Sequence, residues 1–334
     1  MAQMAEDGGR SNRELVLAAL HKADKFVLLS HEHPDGDALG SLMATQAIFT
    51  LLGKDSLVYI DPHDFPLPEE YEFLPLTGLI DAPPEDIEER TIVFLDCGNV
   101  ERTPAEALQR KGAEIINIDH HHDNTGFGTV NLVDAEASCT AEIVWDLMHG
   151  LGVVPTPTIA EALYVGLITD TGRFMYENTS PRAHQMAAEL LETGVDVHKI
   201  YQRVYEDLPY AKLALLARGL ANVQRYDDGR LTVTELRARD FSDAGAGESD
   251  SEGVIDHLRA VRGTAVAALV RDRLSNGNRA PQKVSLRASD DRVDVSRIAR
   301  MQGGGGHRQA AGFETAMSRE ELVGFLREQI AAQL

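Results

Sequence analysis

Five of the twelve histidines occupy two short windows. The first window opens His31-Glu32-His33-Pro34-Asp35-Gly36-Asp37, and the second reads Asp119-His120-His121-His122. Asp96 closes the apolar run TIVFLD, and Asp170 lies in Gly166-Leu167-Ile168-Thr169-Asp170-Thr171-Gly172. Imidazole and carboxylate ligands without thiolate suit manganese, iron, zinc or magnesium. Asp35, Asp37, Asp96 and Asp170 bring four negative charges, which two divalent cations would neutralise. Without cations, four converging carboxylates would repel and raise one another's pKa. Two ions roughly 3.5–4 Å apart can stabilise both the attacking and the leaving oxygen of an in-line displacement. Phosphate-ester hydrolysis is the chemistry such a set would serve.

The elements around these residues explain how they could meet. Lys25–Ser30, Ser56–Ile60, Thr91–Asp96 and Glu114–Asp119 read as apolar strands. Asn12–Ala23, Asp37–Leu52, Ser138–Leu151 and Thr158–Thr169 read as helices between and after them. Strands alternating with helices imply an α/β domain with a parallel sheet. Ligands in such sheets collect beyond the carboxyl ends of the strands. The polar clusters fall there: after Ser30, at Asp96, and at Asp119–His122. A single histidine or aspartate at such a position is ordinarily a cap, a turn residue or a solvated side chain. Several clusters at one sheet edge call for a common purpose. His33 and His122 read as local hydrogen-bonding residues, and Cys97 as a small packing residue.

Helical stretches at Ser180–Gly194 and Val197–Val223 lead out of this domain. Beyond them Arg230–Leu236, Ala265–Arg271 and Lys283–Ala288 read as strands, separated by turn-rich segments at Ser242–Gly253 and Ser275–Pro281. Val295–Met301 reads as a short helix, followed by Gly303-Gly304-Gly305-Gly306-His307 and a small-residue helix start at Gln309-Ala310-Ala311. A closing helix begins near Ser318. The expected organisation is therefore a catalytic domain over 12–195, a helical connector over 196–223 and a smaller α/β domain over 224–334.

A chain of 334 residues with 43% hydrophobic and 25% charged residues can fill two domain cores. The first ten residues, small and acidic, read as disordered and lack the basic stretch and apolar core of a secretory leader. Apolar runs are too short to cross a membrane. Two cysteines, Cys97 and Cys139, rule out a disulfide framework, and a cytoplasmic location is expected. The net charge of −21 is unevenly spread. Residues 1–209 carry 13 basic and 36 acidic residues, and residues 210–334 carry 19 and 17. The asymmetry suggests two domains with different jobs.

These motifs, in this order, resemble those of the DHH phosphoesterases. His31-x-x-x-Asp35-x-Asp37 looks like the first motif, Asp96 the second, Asp119-His120-His121 the third and Asp170 the fourth. Gly303–His307 resembles the glycine-rich motif of the DHH-associated C-terminal domain. The resemblance implies one metal on His31, Asp35 and Asp96, and a second on Asp37, Asp96, His120 and Asp170. It implies catalytic roles for His121, facing the scissile phosphate or its attacking water, and for Asp119, fixing an imidazole tautomer. It also implies substrate binding by Arg287, Gly303, Gly304, Gly305, Gly306 and His307. Two divalent ions per chain, most naturally Mn2+, with Mg2+, Co2+, Fe2+ or Zn2+ as alternatives, and a homodimer are further implications.

Within that family, pyrophosphatases lack the GGGGH motif, RecJ-like enzymes carry an additional domain, and membrane-bound cyclic-dinucleotide enzymes carry spans. The stand-alone nanoRNase/pAp-phosphatase branch (NrnA-type) is left, with short RNA oligonucleotides and pAp as substrates. A soluble cyclic di-AMP or pApA phosphodiesterase is the alternative. A catalytically silent nucleotide-binding regulator should have lost a ligand, and all six are present. A zinc hydrolase of other esters lacks the expected HExxH helix.

Overall fold

The computed structural model describes residues 11–74, 76–102, 112–274, 281–306 and 308–334. The readings of residues 1–10 as disordered and of 275–280 as a turn lie outside these. The chain divides into two compact units, Met1–Asp207 and Leu208–Leu334.

The first unit runs α1 (Asn12–Lys22), β1 (Lys25–Leu29), α2 (Gly36–Leu51), β2 (Asp55–Tyr59), β3 (Leu79–Ile80), β4 (Thr91–Leu95), β5 (Ile115–Asp119), β6 (Val130–Val133), α3 (Thr140–Gly150), α4 (Pro157–Asp170), α5 (Pro181–Glu192) and α6 (Val197–Tyr201). Its six strands pair in the order β3-β2-β1-β4-β5-β6, every pair parallel. The order reverses between β1 and β4, the switch point where open α/β sheets bind ligands. The expected parallel α/β sheet is thus present. The edge strands β3 and β6 were not anticipated, because two to four residues are too few to carry an alternation.

Helices α2 and α4 are apolar on nearly all sides and lie in the core. They approach backbone to backbone. A Cβ at Gly40 would sit 2.4 Å from the carbonyl oxygen of Ala162, and one at Gly166 would sit 2.8 Å from Asp37 Oδ1. Side chains of these helices, with Phe26, Leu28, Val93 and Leu95, fill one face of the sheet, and Val27, Leu29, Ile92 and Phe94 fill the other.

The single helix expected over 197–223 is broken. A π-helical turn follows α6 at Gln202–Glu206, and α7 (Tyr210–Ala221) starts afresh after Pro209. Proline disfavours helical backbone in the residue before it, so the break falls at Leu208.

The second unit continues with β7 (Gln224–Tyr226), β8 (Leu231–Leu236), α8 (Ala238–Ala244), α9 (Val254–Arg259), β9 (Val266–Asp272), β10 (Gln282–Ala288), α10 (Val295–Arg300), β11 (Gly305–Gly306), β12 (Ala310–Thr315) and α11 (Arg319–Ala331). Its sheet has the order β11-β12-β10-β9-β8-β7 and is antiparallel except between β8 and β9. The segment 242–253 expected as turns begins inside α8. The helix start expected at Gln309-Ala310-Ala311 is the strand β12. Ala311, Phe313 and Thr315 are buried and alternate with half-exposed neighbours, so period two prevails over small-residue composition. No helix among the described residues is long and apolar enough to cross a membrane.

Candidate metal centre

The centre forms at the carboxyl ends of β1, β4 and β5. The strand β1 delivers His31, which is buried. Its Nδ1 lies 2.7 Å from the carbonyl of Glu32, which turns Nε2 toward Asp96, 3.6 Å from Oδ2. Asp35 is the N-cap of α2, with Oδ1 accepting the N–H groups of Asp37 and Ala38 at 3.1 Å. Asp37 sits in the first turn of α2 and is 1% exposed. It also caps a helix it does not belong to. Its Oδ2 accepts the Thr140 N–H at 2.7 Å and its Oδ1 the Ala141 N–H at 2.9 Å, serving α3, whose own N-cap Cys139 makes no side-chain bond.

Asp96 is the hub. It follows β4 with φ of +59°, a left-handed conformation that costs a non-glycine residue roughly 1–2 kcal/mol. Its N–H bonds the Ile118 carbonyl at 3.0 Å, holding the turn to β5. Thr140 Oγ1 donates to Asp96 Oδ1 at 2.9 Å, and His120 Nε2 and His121 Nδ1 each lie 3.7 Å from the same oxygen. Asp170, the last residue of α4, brings Oδ2 to 3.7 Å from His120 Nε2. Separations of 3.6–3.7 Å are too long for hydrogen bonds. They are near the edge lengths of a coordination shell with metal–ligand bonds of about 2.1 Å.

Ligand atoms of His31, Asp35 and Asp96 lie within 4.8 Å of one another, as do those of Asp37, His120 and Asp170. All six residues that the resemblance implies as metal ligands are therefore brought together, in two groups that meet at Asp96 and His120. The same proximity holds for Asp96, His120 and His121. His121 Nδ1, however, is 2.7 Å from Asp119 Oδ1 and committed to it. Asp119 is fully buried, and its Oδ2 accepts from Asn124 at 2.6 Å.

The charges in this pocket are strained without cations. Burial, and then the carboxylates of Asp96, Asp170 and Asp35, push Asp37 well above the usual carboxylate range. Burial likewise pushes Asp170 up to about 6, with His120 opposing. Burial acts to raise Asp96 too, but His31, with the charges of His121 and His120, overrides it and holds Asp96 down to about 2. For His31 burial acts downward, and the Asp96 carboxylate more than compensates. A set of nitrogen and oxygen donors running from buried Asp37 and Asp96 to exposed Asp35, in which two carboxylates resist ionisation, fits divalent cations.

Residues 25–167 match the DHH family, N-terminal domain, and residues 228–332 match the DHHA1 domain. The chain is 35% identical over 312 residues to the bifunctional oligoribonuclease and PAP phosphatase NrnA of Thermus thermophilus, covering 91% of this chain and 89% of that protein. The chain belongs to the DHH family. As a DHH protein it is a phosphoesterase, a hydrolase. Its fold is shared with an exopolyphosphatase-related protein from Bacteroides fragilis, at a TM-score of 0.86, 24% identity and 96% coverage of both chains. Thermus thermophilus RecJ in complex with Mn2+ aligns at a TM-score of 0.56 and 16% identity, over 97% of this chain and 55% of that one.

Three groups around this DHH centre escaped sequence reasoning. Thr140 binds Asp96 through its hydroxyl and Asp37 through its N–H. Asn124 holds Asp119. Asn178 Nδ2 donates to Asp170 Oδ2 and to the Asp170 carbonyl, both at 3.1 Å, and to the Ser138 carbonyl at 2.8 Å. None belongs to a spaced motif: Thr140 opens α3, Asn124 lies between β5 and β6, and Asn178 lies between α4 and α5. His33 pairs with Asp64 at 3.1 Å and is otherwise exposed, and Cys97 is buried in the apolar cluster beside β4.

The expected substrate residues lie in the second unit, except that His307 is outside the described residues. Arg287 is on β10, half-buried, on the sheet face opposite to Leu286 and Val284. The glycine run has structural duties. Gly303, at φ +73°, and Gly304 donate to the Arg300 and Ala299 carbonyls and close α10. A Cβ on Gly304 would meet the Gly312 carbonyl at 2.2 Å, and one on Gly306 the Ala310 carbonyl at 2.5 Å. Gly305 faces open space. The fold therefore needs glycine at three of the four positions of the expected substrate motif.

Proposed function

We propose that this DHH protein hydrolyses short oligoribonucleotides to mononucleotides and removes the 3′-phosphate of pAp. The single observation that carries the chemistry is the convergence of six histidine and aspartate side chains, Asp96 among them, at the sheet's switch point. The substrate class is supported by the 35% identity to a bifunctional oligoribonuclease and PAP phosphatase over 91% of the chain.

In this reading His31, Asp35 and Asp96 would hold one divalent ion, and Asp37, Asp96, His120 and Asp170 another, with mixed nitrogen and oxygen donors that suit Mn2+ among other divalent metals. Two such ions supply Lewis acidity at the phosphoryl oxygens and lower the pKa of a bound water. Asp96, fixed by Thr140, keeps a full negative charge between both sites. Burial first, and then the neighbouring carboxylates, disfavour the charged forms of Asp37 and Asp170, and divalent cations held there would favour those charged forms. Asp119 accepts the Nδ1 proton of His121, so the ring addresses the phosphate through Nε2, as a hydrogen-bond donor when the imidazole is protonated. Arg287 and the backbone at Gly305 grip the part of the substrate remote from the scissile bond.

The test is a panel of pAp, pApA, cyclic di-AMP and RNAs of two to twenty nucleotides with Mn2+, read by mononucleotide release. Release from dinucleotides and pAp supports the reading. Turnover of cyclic di-AMP alone, or equal kcat/KM for a dimer and a twenty-mer, overturns it.

A further inference from the structure

The second unit holds an open cavity of about 260 Å3 that has no part in the reading above. It lies where β8 runs out into α8, beside the start of α11. Three arginines line it, Arg237, Arg239 and Arg319, together with Glu235, Asp240, Asn222 and Gln224. Glu235 Oε2 accepts from Arg237 Nη2 at 3.2 Å and lies 3.8 Å from Arg319 Nη1. One carboxylate thus holds two guanidinium groups side by side. Asp240 is occupied elsewhere, accepting the Arg237 backbone N–H at 2.8 Å and lying 3.7 Å from Arg218. The Arg239 guanidinium has no hydrogen-bond or ion-pair partner among the described residues. The lining therefore carries an excess of guanidinium in a chain whose net charge is −21.

This cavity is separate from Arg287. Across the sheet Arg287 stands level with Ala267 and Thr232, whereas Glu235 is three residues further along β8, about 10 Å away. By strand alternation Glu235 lies on the face of Leu231 and Val233, and Arg287 on the face of Ala267. Planar guanidinium forks match phosphate oxygens and bind them in pairs. The volume exceeds that of a bare phosphate, and the lining includes Asn222 and Gln224, whose amides are of the type that pairs with the polar edge of a base, although Gln224 Oε1 already accepts from the Tyr226 hydroxyl at 2.6 Å.

We propose that the cavity between Arg237, Arg239 and Arg319 is a second, non-catalytic site for a nucleoside monophosphate. The phosphate part follows from the guanidinium groups alone. The nucleoside part rests on the proposed release of mononucleotides, which would make the ligand the enzyme's own product.

The experiment is calorimetric titration of the full Mn2+-loaded chain with AMP, inorganic phosphate and adenosine, for the wild type and for Arg239→Ala, Arg319→Ala and Arg287→Ala. The wild type should bind two AMP per chain. Arg239→Ala and Arg319→Ala should each weaken one site by about tenfold or more, leave the other intact, and leave initial rates on pAp unchanged. Arg287→Ala should weaken the other site. Arg239 is exposed and unpartnered, so its variant folds as the wild type does. Phosphate binding as tightly as AMP would overturn the nucleoside part while retaining an anion site. Adenosine binding as tightly as AMP, a single AMP site, or two sites undisturbed in Arg239→Ala would overturn the proposal. Hydrolysis of the substrate panel is scored independently, so the failure of one reading is distinguishable from the failure of the other.

Discussion

Asn178 holds Asp170 from two sides. One amide nitrogen donates to the Asp170 carboxylate and to its backbone carbonyl, and also to Ser138 at the entry to α3. The last residue of α4 is thereby tied to the helix that Asp37 caps, and two of the expected metal ligands share a single frame.

Asn178→Ala should therefore loosen Asp170. Groups that orient metal ligands typically change metal affinity by about 10–100-fold. Calorimetric titration with Mn2+ should show weakening in that range, with the far-ultraviolet circular dichroism of the wild type retained. Unchanged affinity would mean that Asp170 is held by α4 alone.

Asp96→Asn should be far more damaging than His33→Ala. Asp96 contacts Thr140 and stands between His31 and His120, whereas the His33 side chain is 82% exposed and touches only Asp64 among the described residues. A loss of about 10³-fold or more in kcat is expected for Asp96→Asn, the scale seen when an electrostatic catalytic group is removed. His33→Ala should stay within a few-fold of wild type. Steady-state kinetics on pAp and a dinucleotide, with metal content measured in parallel, decide the matter. Comparable rates for the two variants would remove Asp96 from the centre.

The strands β1, β4 and β5 were legible in the sequence because each is a mostly apolar run followed or closed by a charged or polar residue. That pattern places His31, Asp96 and Asp119 at one edge of a parallel sheet. The close approach of α2 and α4 was not legible. It depends on Gly40 and Gly166 facing each other across helices distant in sequence, and a glycine within an apolar helix does not announce its partner. The helix start expected at Gln309–Ala311 failed for the reverse reason. Local composition favoured helix, but Ala311 and Phe313 bury against the sheet only as alternate residues of a strand. The packing duties of the glycine run rest on close approaches to Gly312 and Ala310, which are invisible in sequence.

The raised carboxylates give a pH signature to the metal-free protein. Asp170 titrates near 6 in the fold, against about 3.9 in an unfolded chain. A carboxyl with a raised folded pKa destabilises as pH climbs from about 4 through 6, and the full cost is present above that. Asp170→Asn removes it. In chelated protein this variant should gain on the order of 2 kcal/mol at pH 7, a gain that shrinks toward pH 4. With Mn2+ the order should reverse, because the variant has lost a ligand. Thermal melts at both pH values, with and without metal, provide the check. A variant no more stable than wild type at pH 7 without metal would show that the pocket does not strain Asp170.

Arg287 should act on affinity and orientation, not on the metals. It is in a different compact unit from all six expected ligands. Its guanidinium donates only to the adjacent Leu286 carbonyl, at 3.1 Å, among the described residues, so most of the donor fork is available to a phosphate. Losing a charge-assisted contact costs about 1.5–3 kcal/mol, roughly tenfold to 150-fold in kcat/KM. Binding energy remote from the reacting bond also positions that bond, so kcat should fall as KM rises. The measurement compares Arg287→Ala on pApA and on bis(p-nitrophenyl) phosphate, which has no nucleotide to grip. Normal Mn2+ content, a large loss on pApA and a small loss on the minimal ester are expected. Equal losses on both esters would place Arg287 in the chemistry itself, and no loss on either would leave the nucleotide to be held by other residues.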